Sequence, residues 1–193
     1  FSIGTETYGS ITSPCIRCGT TGLRPTFGRV SRTGAMALCW SLDKIGPICR
    51  TVEDCALVLD AINGHDEADP SSIALPLRFD MQRPVNSIRV GYSPQWFEDG
   101  NDLDRAALAA LEKTGVRMLE VDLPNWPYDI LLTMLYCEAA AAFEDLTRSN
   151  LDDTLRWQAP QAWPNTFRQS WFLPGIALVQ ADTAQRVTDR VRS

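Results

Sequence analysis

The sequence has few of the basic side chains that enzymes use as proton acceptors. It contains one histidine, His65, and two lysines, Lys44 and Lys113. His65 stands in a polar connection, where an ordinary surface histidine is expected, so a serine nucleophile activated by histidine is disfavoured. With 24 acidic and 18 basic side chains, the net charge is −6. This balance disfavours phosphate-driven binding of nucleic acid.

Long apolar runs are also missing. No stretch approaches the roughly 18 to 20 unbroken apolar residues of a membrane helix, and the first residues lack a basic segment followed by an apolar one. We therefore expect no membrane association and a cytoplasmic location, while a signal peptide on preceding sequence stays open. The chain opens on Phe1 without an initiator Met and ends without a helix stop signal. Both features predict a slice of a longer protein.

The six cysteines do not form a recognisable ligand set. Cys15 and Cys18 make a CxxC, but a second ligand pair and a thioredoxin-like strand and helix start are both missing. The cysteines are more simply explained as buried thiols of a cytosolic protein: Cys15, Cys18, Cys39, Cys49, Cys55 and Cys137. We expect no metal and no cofactor. The rival, a CxxC metal-binding module, predicts stoichiometric zinc in the purified protein.

Composition and periodicity divide the chain into segments. Residues 1–50 are rich in Gly, Thr, Ser, Pro and Cys, which is typical of turns and short strands. Thr51 and Asp54 resemble a helix-capping arrangement, and helical apolar spacing continues from there until Gly64. The remainder predicts, in chain order, a surface connection over 65–84, a strand over 87–92, a helix over 102–114, a strand over 116–122, a long helix over 128–149, a covering loop over 151–174 and a last helix from about residue 176. Strand, helix and strand at this spacing indicate a parallel crossover in an α/β sheet.

The stretch Gly4–Gly34 contains the residues most relevant to chemistry. It reads GTETYGSITSPCIRCGTTGLRPTFGRVSRTG, so Ser10 follows a polar turn and precedes a predicted short helix. Such a position places a hydroxyl beside backbone N–H groups that are not yet hydrogen-bonded, and an oxyanion needs donors of this kind. The residues alone leave another interpretation open, namely an N-capping serine with no part in catalysis.

This stretch, continued through WSLDKIGPICRTVEDCALVLDAING, resembles the second half of the amidase signature. The family includes bacterial amidases, fatty acid amide hydrolase and the A subunit of glutamyl-tRNA amidotransferase. The match runs from Gly4 to Gly64 almost without interruption. It implies an α/β fold in which a mixed twisted sheet is flanked by helices. Within one partial domain, residues 1–64 would form the second half of the signature core and residues 65–193 a variable region.

The resemblance also implies a mechanism. Ser10 matches the family nucleophile, which is activated by a second serine on a cis peptide bond and by a lysine. The oxyanion hole would consist of the backbone N–H groups of Thr7, Tyr8, Gly9 and Ser10. The activating serine and lysine precede the nucleophile in the family, and neither Lys44 nor Lys113 matches that lysine. The peptide by itself is therefore expected to be inactive.

Two departures from the family pattern lie beside Ser10. Tyr8 replaces a glycine, so the turn must use dihedrals that a bulky residue tolerates, and the ring is expected to narrow or line the pocket. Thr12 replaces an arginine whose role the sequence does not assign. Met36 and Trp40 are further candidates for the acyl pocket, and ordinary core packing is the alternative for both.

These features predict hydrolysis of a small-molecule carboxylic amide to an acid plus ammonia or an amine. The alternative enzyme is an amidotransferase A-type subunit that releases ammonia from glutamine. An alternative of another class is a non-catalytic structural or interaction remnant of the fold. No nucleic-acid or membrane partner is expected, and a homodimer is left open.

Overall fold

Helices and two small sheets make up the structure, a computed structural model that describes residues 1–98, 100–122, 124 and 128–180. The mixed α/β class implied by the resemblance is confirmed. The described residues fall into two units, one within Phe1–Leu77 and Pro127–Ser193, the other within Arg78–Trp126. In the described part of the chain, no helix is long and apolar enough to cross a membrane.

The first unit opens with a three-stranded antiparallel sheet in the order β1-β3-β2. Its elements are β1 (Ser2–Glu6), the short helix α1 (Thr12–Cys18), β2 (Thr21–Gly22) and β3 (Lys44–Cys49). In the register of β1 and β3, Glu6 pairs with Lys44, so the end of β1 and the start of β3 lie side by side. Gly46 in the central strand allows close packing, since a Cβ there would overlap the carbonyl oxygen of Leu23.

Helix α2 (Val52–Ile62) begins where the sequence predicts. Thr51 and Asp54 form a reciprocal capping box, which satisfies N–H groups that the first turn leaves without partners. The face formed by Cys55, Ala56 and Leu59 is buried. Residues 65–84 contain no helix or strand, as expected of a polar connection.

The second unit contains the predicted crossover. A 3-10 turn precedes β4 (Arg89–Tyr92), α3 (Pro94–Glu98), α4 (Asp102–Lys113) and β5 (Arg117–Glu120). Strands β4 and β5 pair in parallel, which confirms the strand–helix–strand prediction. Asn101 caps α4 in a second capping box, with Asp104 as its reciprocal partner.

The single long helix predicted over 128–149 is wrong, because two helices occupy the segment. They are α5 (Ile130–Ala142) and α6 (Glu144–Arg148). The backbone leaves the helical region at Phe143 (φ −111°, ψ 26°), whose ring stacks on Phe167 with centroids 4.7 Å apart. This aromatic contact between segments distant in sequence accompanies the break, and helical periodicity cannot reveal it.

The uniform loop predicted over 151–174 is also wrong. Residues Leu151–Thr154 form a 3-10 turn, and α7 (Trp163–Ser170) follows. Pro164 lies in the first turn of α7, where a missing N–H needs no acceptor, so proline favours the helix there. The last predicted helix is present over residues 175–180, and the rest of the predicted range lies outside the described residues.

Candidate active site

Ser10 lies in the turn between β1 and α1, with its side chain exposed, and it lines a cavity of about 470 Å³. The cavity belongs entirely to the first unit. Its polar lining includes Thr5, Thr7, Ser10, Arg32, Thr33, Asp43, Lys44 and Asp69, and its apolar lining includes Ala35, Met36, Ala37, Leu38, Trp40, Ile45 and Phe143. The pairing of Glu6 with Lys44 brings the turn after β1 next to the start of β3, and Thr7, Ser10 and Lys44 all line the cavity.

The hydroxyl of Ser10 neither caps α1 nor forms a hydrogen bond with another described residue. The N-cap of α1 is Ile11, which offers no side-chain bond, so the interpretation of Ser10 as the capping residue is wrong. Instead, the Glu6 carboxylate accepts hydrogen bonds from the main-chain N–H groups of Ile11, at 2.7 Å, and of Thr12, at 2.9 Å. Among the described residues, none forms a hydrogen bond with the Ser10 side chain. The hydroxyl is therefore available to a molecule in the cavity.

Three main-chain amides beside Ser10 are also unused. The N–H groups of Tyr8, Gly9 and Ser10 find no acceptor in the described part of the chain. Asn150 is the only described non-glycine residue with positive φ, so the turn uses dihedrals that Tyr8 tolerates. Tyr8 is 73% exposed and is not part of the cavity lining.

Asp43 and Lys44, at the start of β3, form hydrogen bonds with the turn. Asp43 Oδ1 accepts the Thr7 hydroxyl at 2.5 Å, while Oδ2 accepts the N–H groups of Leu38 and Cys39 at 2.8 and 3.0 Å. Lys44 Nζ donates to the carbonyl oxygen of Thr7 at 3.4 Å and to that of Leu42. Thr7 is thus held by both its side chain and its carbonyl group, and this contact restrains the turn that carries Ser10.

The ammonium group of Lys44 is in an unfavourable environment for charge. Burial lowers the pKa of Lys44, and repulsion from Arg24 lowers it further. The charges of Glu6 and Asp43 oppose this shift without reversing it. Neither carboxylate lies within ion-pair distance of Nζ in the described structure.

Arg32 and Asp69 form a second charged pair on the cavity wall. The Arg32 guanidinium lies 3.5 Å from Asp69 Oδ2, donates to Ser71 Oγ at 2.8 Å and to the Trp40 carbonyl, and stacks over the Phe27 ring. Hydrogen bonds from Ser71 and from the Arg32 N–H lower the pKa of Asp69. Asp69 therefore compensates the charge of Arg32, although Arg32 Nε forms no hydrogen bond within the described residues.

The apolar part of the lining includes two of the residues singled out in the sequence. Met36 is 80% exposed and Trp40 is 49% exposed, and both line the cavity. Ordinary core packing does not account for either, because core side chains are shielded from solvent. Together with Leu38 they contribute an apolar part to the cavity lining.

Glu138 is a contributor that the sequence analysis missed. It lies on α5, and its Oε2 accepts the main-chain N–H of Ser41 at 2.9 Å and the Cys39 thiol at 3.2 Å. Burial, aided by Glu138, raises the pKa of Cys39 to about 12, so this thiol stays protonated. The available signal was that Glu138 is the only charged residue of an otherwise uncharged helix.

His65 takes part in a structural contact outside the cavity. Its Nδ1 lies 3.1 Å from Ser72 Oγ, but Ser72 is buried and its Oγ also lies within hydrogen-bond distance of the carbonyl oxygens of Asp66 and Asp69, at 3.0 and 2.8 Å. The Ser72 hydroxyl therefore stabilises the turn that contains Asp66 and Asp69. Within the described ranges, no cluster of three or more His, Cys, Asp or Glu side chains is arranged to hold a metal ion.

Comparison with known proteins gives a consistent family. The model of the amidase family matches residues 1–188. The A subunit of the glutamyl-tRNA(Gln) amidotransferase of Geobacter sulfurreducens is 42% identical over 149 residues, which cover 73% of this chain and 31% of that protein. The chain therefore spans about a third of the length of the curated relatives it matches.

Solved structures show the same fold. One, reported as a vestigial protein complex that reveals the evolutionary origins of an s-triazine catabolic enzyme, matches with a TM-score of 0.79 and 28% identity, covering 96% of this chain and 41% of that one. A peptide amidase bound to the competitive inhibitor chymostatin matches with a TM-score of 0.70 and 27% identity, covering 94% and 43%.

Proposed function

Since this chain belongs to the amidase family, we propose that the protein containing it hydrolyses a carboxylic amide with Ser10 as the nucleophile. The observation that carries the proposal is the free Ser10 hydroxyl in a cavity, next to three main-chain amides that lack acceptors within the described structure. Nucleophile and oxyanion donors at one turn are what acyl transfer requires.

In the proposed reaction, Ser10 Oγ attacks the amide carbonyl carbon and gives up its proton to a base. The carbonyl oxygen becomes an oxyanion, which receives hydrogen bonds from the turn of Thr7, Tyr8, Gly9 and Ser10. Collapse breaks the C–N bond, the nitrogen leaves as ammonia or an amine after taking up a proton, and an ester to Ser10 remains. Water then hydrolyses the ester to the free acid and restores the hydroxyl.

Activation of Ser10 is proposed to come from outside these 193 residues. The activating lysine and second serine implied by the family resemblance match no position in this sequence. The chain alone is accordingly proposed to be inactive. The exposed side chains of Met36 and Trp40 are proposed to contact the apolar part of the acyl group, and Tyr8 to contact substrate only outside the cavity. A cytoplasmic location belongs to the same proposal.

The test is covalent labelling of the full-length protein with a fluorophosphonate, followed by peptide mass analysis. We expect the adduct on Ser10, because a hydroxyl activated beside oxyanion donors reacts with this electrophile. Ser10→Ala should abolish the adduct. The matched control is Ser13→Ala, since Ser13 is an exposed serine on α1 three residues away. An adduct on another residue would contradict Ser10 as the nucleophile, and no adduct in the folded protein would support the non-catalytic remnant instead.

A second candidate is an amidotransferase A-type subunit that releases ammonia from glutamine. The observation in its favour is the 42% identity to the A subunit of a glutamyl-tRNA(Gln) amidotransferase. A free amidase should release ammonia from its amide without further components. A subunit of the second kind should accelerate glutamine hydrolysis only when partner subunits and charged tRNA are added, so ammonia release with and without them separates the two candidates.

A further inference from the structure

The loop before β3 supplies much of the apolar lining of the cavity. No helix or strand occupies residues 31–43, and this loop contributes Met36, Leu38 and Trp40 to the lining. Met36 and Trp40 are both exposed. Apolar burial of these two side chains therefore does little to fix the loop, and hydrogen bonds to its main chain have to do so.

One carboxylate oxygen of Glu138 accepts hydrogen bonds from both chain neighbours of Trp40. Glu138 Oε2 lies 3.2 Å from the Cys39 thiol sulfur and 2.9 Å from the main-chain nitrogen of Ser41. The Cys39 carbonyl oxygen also accepts two main-chain N–H groups of the same turn, at 3.0 and 2.8 Å. With the residues before and after it held by one carboxylate, the main chain of Trp40 is restrained where its side chain reaches the cavity.

Glu138 belongs to a helix whose C-terminal end forms another part of the same cavity. Helix α5 ends at Ala142, and Phe143, which follows it, lines the cavity. Met134 and Leu135, one turn before Glu138, are buried, so the carboxylate lies towards the packed face of α5. A charge on such a face is costly unless it accepts hydrogen bonds, and the two donors of the loop satisfy this requirement.

From these contacts we infer that Glu138 is a positioning residue, which holds Trp40 in place relative to Phe143 and thereby sets the size of the acyl group accepted beside Ser10. This role rests on the proposed function for the reaction that it tunes, whereas the hydrogen bonds to the loop do not depend on that reaction. Apolar contact grows with each methylene group that is buried. A displaced Trp40 therefore penalises long acyl groups more than short ones.

The pocket is tested with two fluorophosphonates, one with an ethyl and one with an octyl group, on the full-length protein. The measured quantity is the ratio of the two labelling rates at Ser10, octyl over ethyl. Glu138→Ala should lower this ratio about tenfold, the equivalent of roughly two methylene groups that lose apolar contact. Glu138→Gln should restore most of it, because an amide oxygen still accepts from Ser41. The matched control Glu144→Ala removes an exposed carboxylate of α6 and should leave the ratio unchanged.

A double-mutant cycle separates positioning from a general loss of structure. Trp40→Ala should lower the same ratio. Adding Glu138→Ala to that variant should lower it by less than about twofold more, because Glu138 acts through Trp40. Effects that multiply in full would overturn the inference. A melting curve of each variant shows whether it remains folded.

Cys39 reports on the loop without any reaction at Ser10. Its thiol is fully buried, and burial, aided by Glu138, raises its pKa to about 12. Iodoacetamide should therefore alkylate Cys39 slowly in the wild-type protein and about tenfold faster in Glu138→Ala, where the loop opens. Glu138→Gln also removes the charge, so slow alkylation in that variant separates loop opening from a change in thiol pKa. Cys55, buried on α2, is the internal reference and should keep its rate.

The outcomes separate this role from the proposed function. Faster alkylation of Cys39 in Glu138→Ala, without fluorophosphonate labelling of Ser10 in the wild-type protein, supports the anchoring of the loop and contradicts the proposed reaction. An unchanged labelling ratio in a folded Glu138→Ala protein overturns the role of Glu138 in the pocket. Equal slowing with both reagents also overturns it, since Glu138 would then act on the turn of Ser10 and not on the acyl pocket.

Discussion

The two units bury different kinds of side chain. The first unit encloses charged groups, among them Glu6, Arg29, Asp69 and Asp152. In the second unit, Ser93 is the only buried side chain among the described residues, and no apolar one is buried there. Yet helices α2 and α4 start with the same device, a reciprocal capping box. The same local interaction therefore starts a helix in each unit.

Buried charge is what sets the first unit apart. A charged group removed from water must be hydrogen-bonded or paired, so its neighbours become fixed in position. Glu6 fixes the Ile11–Thr12 amides, Asp43 fixes Thr7, and Glu138 fixes Ser41. A concentration of such fixed contacts around one cavity is what a preorganised site requires, and the second unit shows no counterpart in its described residues.

The largest effect is expected from removing the most buried of these carboxylates. Glu6→Ala leaves two main-chain N–H groups and the Arg24 charge without their acceptor, so the free energy of unfolding should fall by about 3 kcal/mol. The control in the second unit is Glu120→Ala, an exposed side chain that accepts from Tyr92, with an expected loss below about 0.5 kcal/mol. Urea denaturation of the full-length protein measures both. Equal losses of unfolding free energy in the two variants would contradict the difference between the two units.

A smaller contrast is expected between two glycines. A Cβ at Gly46 would overlap the Leu23 carbonyl oxygen, a main-chain atom that cannot move alone, whereas at Gly91 it would meet the Val121 methyl groups at 3.1 Å. Gly46→Ala should cost about 2 kcal/mol, and Gly91→Ala about half of that or less. The same denaturation experiment reports the difference. A larger loss at Gly91 would show that packing in the second unit is the tighter of the two.

Acid should weaken the first unit selectively. Hydrogen bonds from Ser71 and Arg32 lower the pKa of Asp69, and those from Ser31 and Ala68 lower that of Asp66. Groups whose pKa is lower in the folded state stabilise it above their unfolded value of about 4, and this contribution is lost as pH falls below it. Melting temperatures should therefore drop below about pH 4, less steeply in Asp69→Asn. The control Asp102→Asn on α4 should keep the original slope.

The smallest effects should be equal in the two units. Thr51→Ala and Asn101→Ala each remove the acceptor of a capping box, and each should cost about 1 kcal/mol. Thr51→Ser and Asn101→Asp should restore most of the loss, because both keep a side-chain oxygen. Ser10 labelling should persist in all four variants. A cap that costs several times more in the first unit would show that α2 is coupled to the buried charges.

The secondary structure of both units was predictable where its causes are local. The Thr51 cap, the helical spacing after it and the crossover from β4 to β5 all follow from residues a few positions apart. The break at Phe143 was missed because the Phe143–Phe167 stacking leaves no local signal in the sequence, and helix α7 was missed because Pro164 at its start resembles a loop signal.

The candidate site divides in the same way. Ser10 was found in the sequence from its turn and from the family resemblance, and its role stays a prediction. The contact of Glu138 with Ser41 spans 97 positions, and that of Asp43 with Thr7 spans 36. Periodicity in the sequence cannot predict contacts at such separations. No contact of the described residues explains why Thr12 stands where the family resemblance implies an arginine.

The sequence by itself determined the family, the α/β class, the position of the Ser10 turn and the starts of α2 and α4. Each of these depends on patterns within a short stretch, where covalent spacing already brings the interacting groups together. Only the tertiary structure decided which side chains share the cavity, and that Glu6 rather than Ser10 accepts hydrogen bonds from the first N–H groups of α1. Those properties depend on burial and on contacts between distant segments, which exist only once β1, β3 and α5 have packed together.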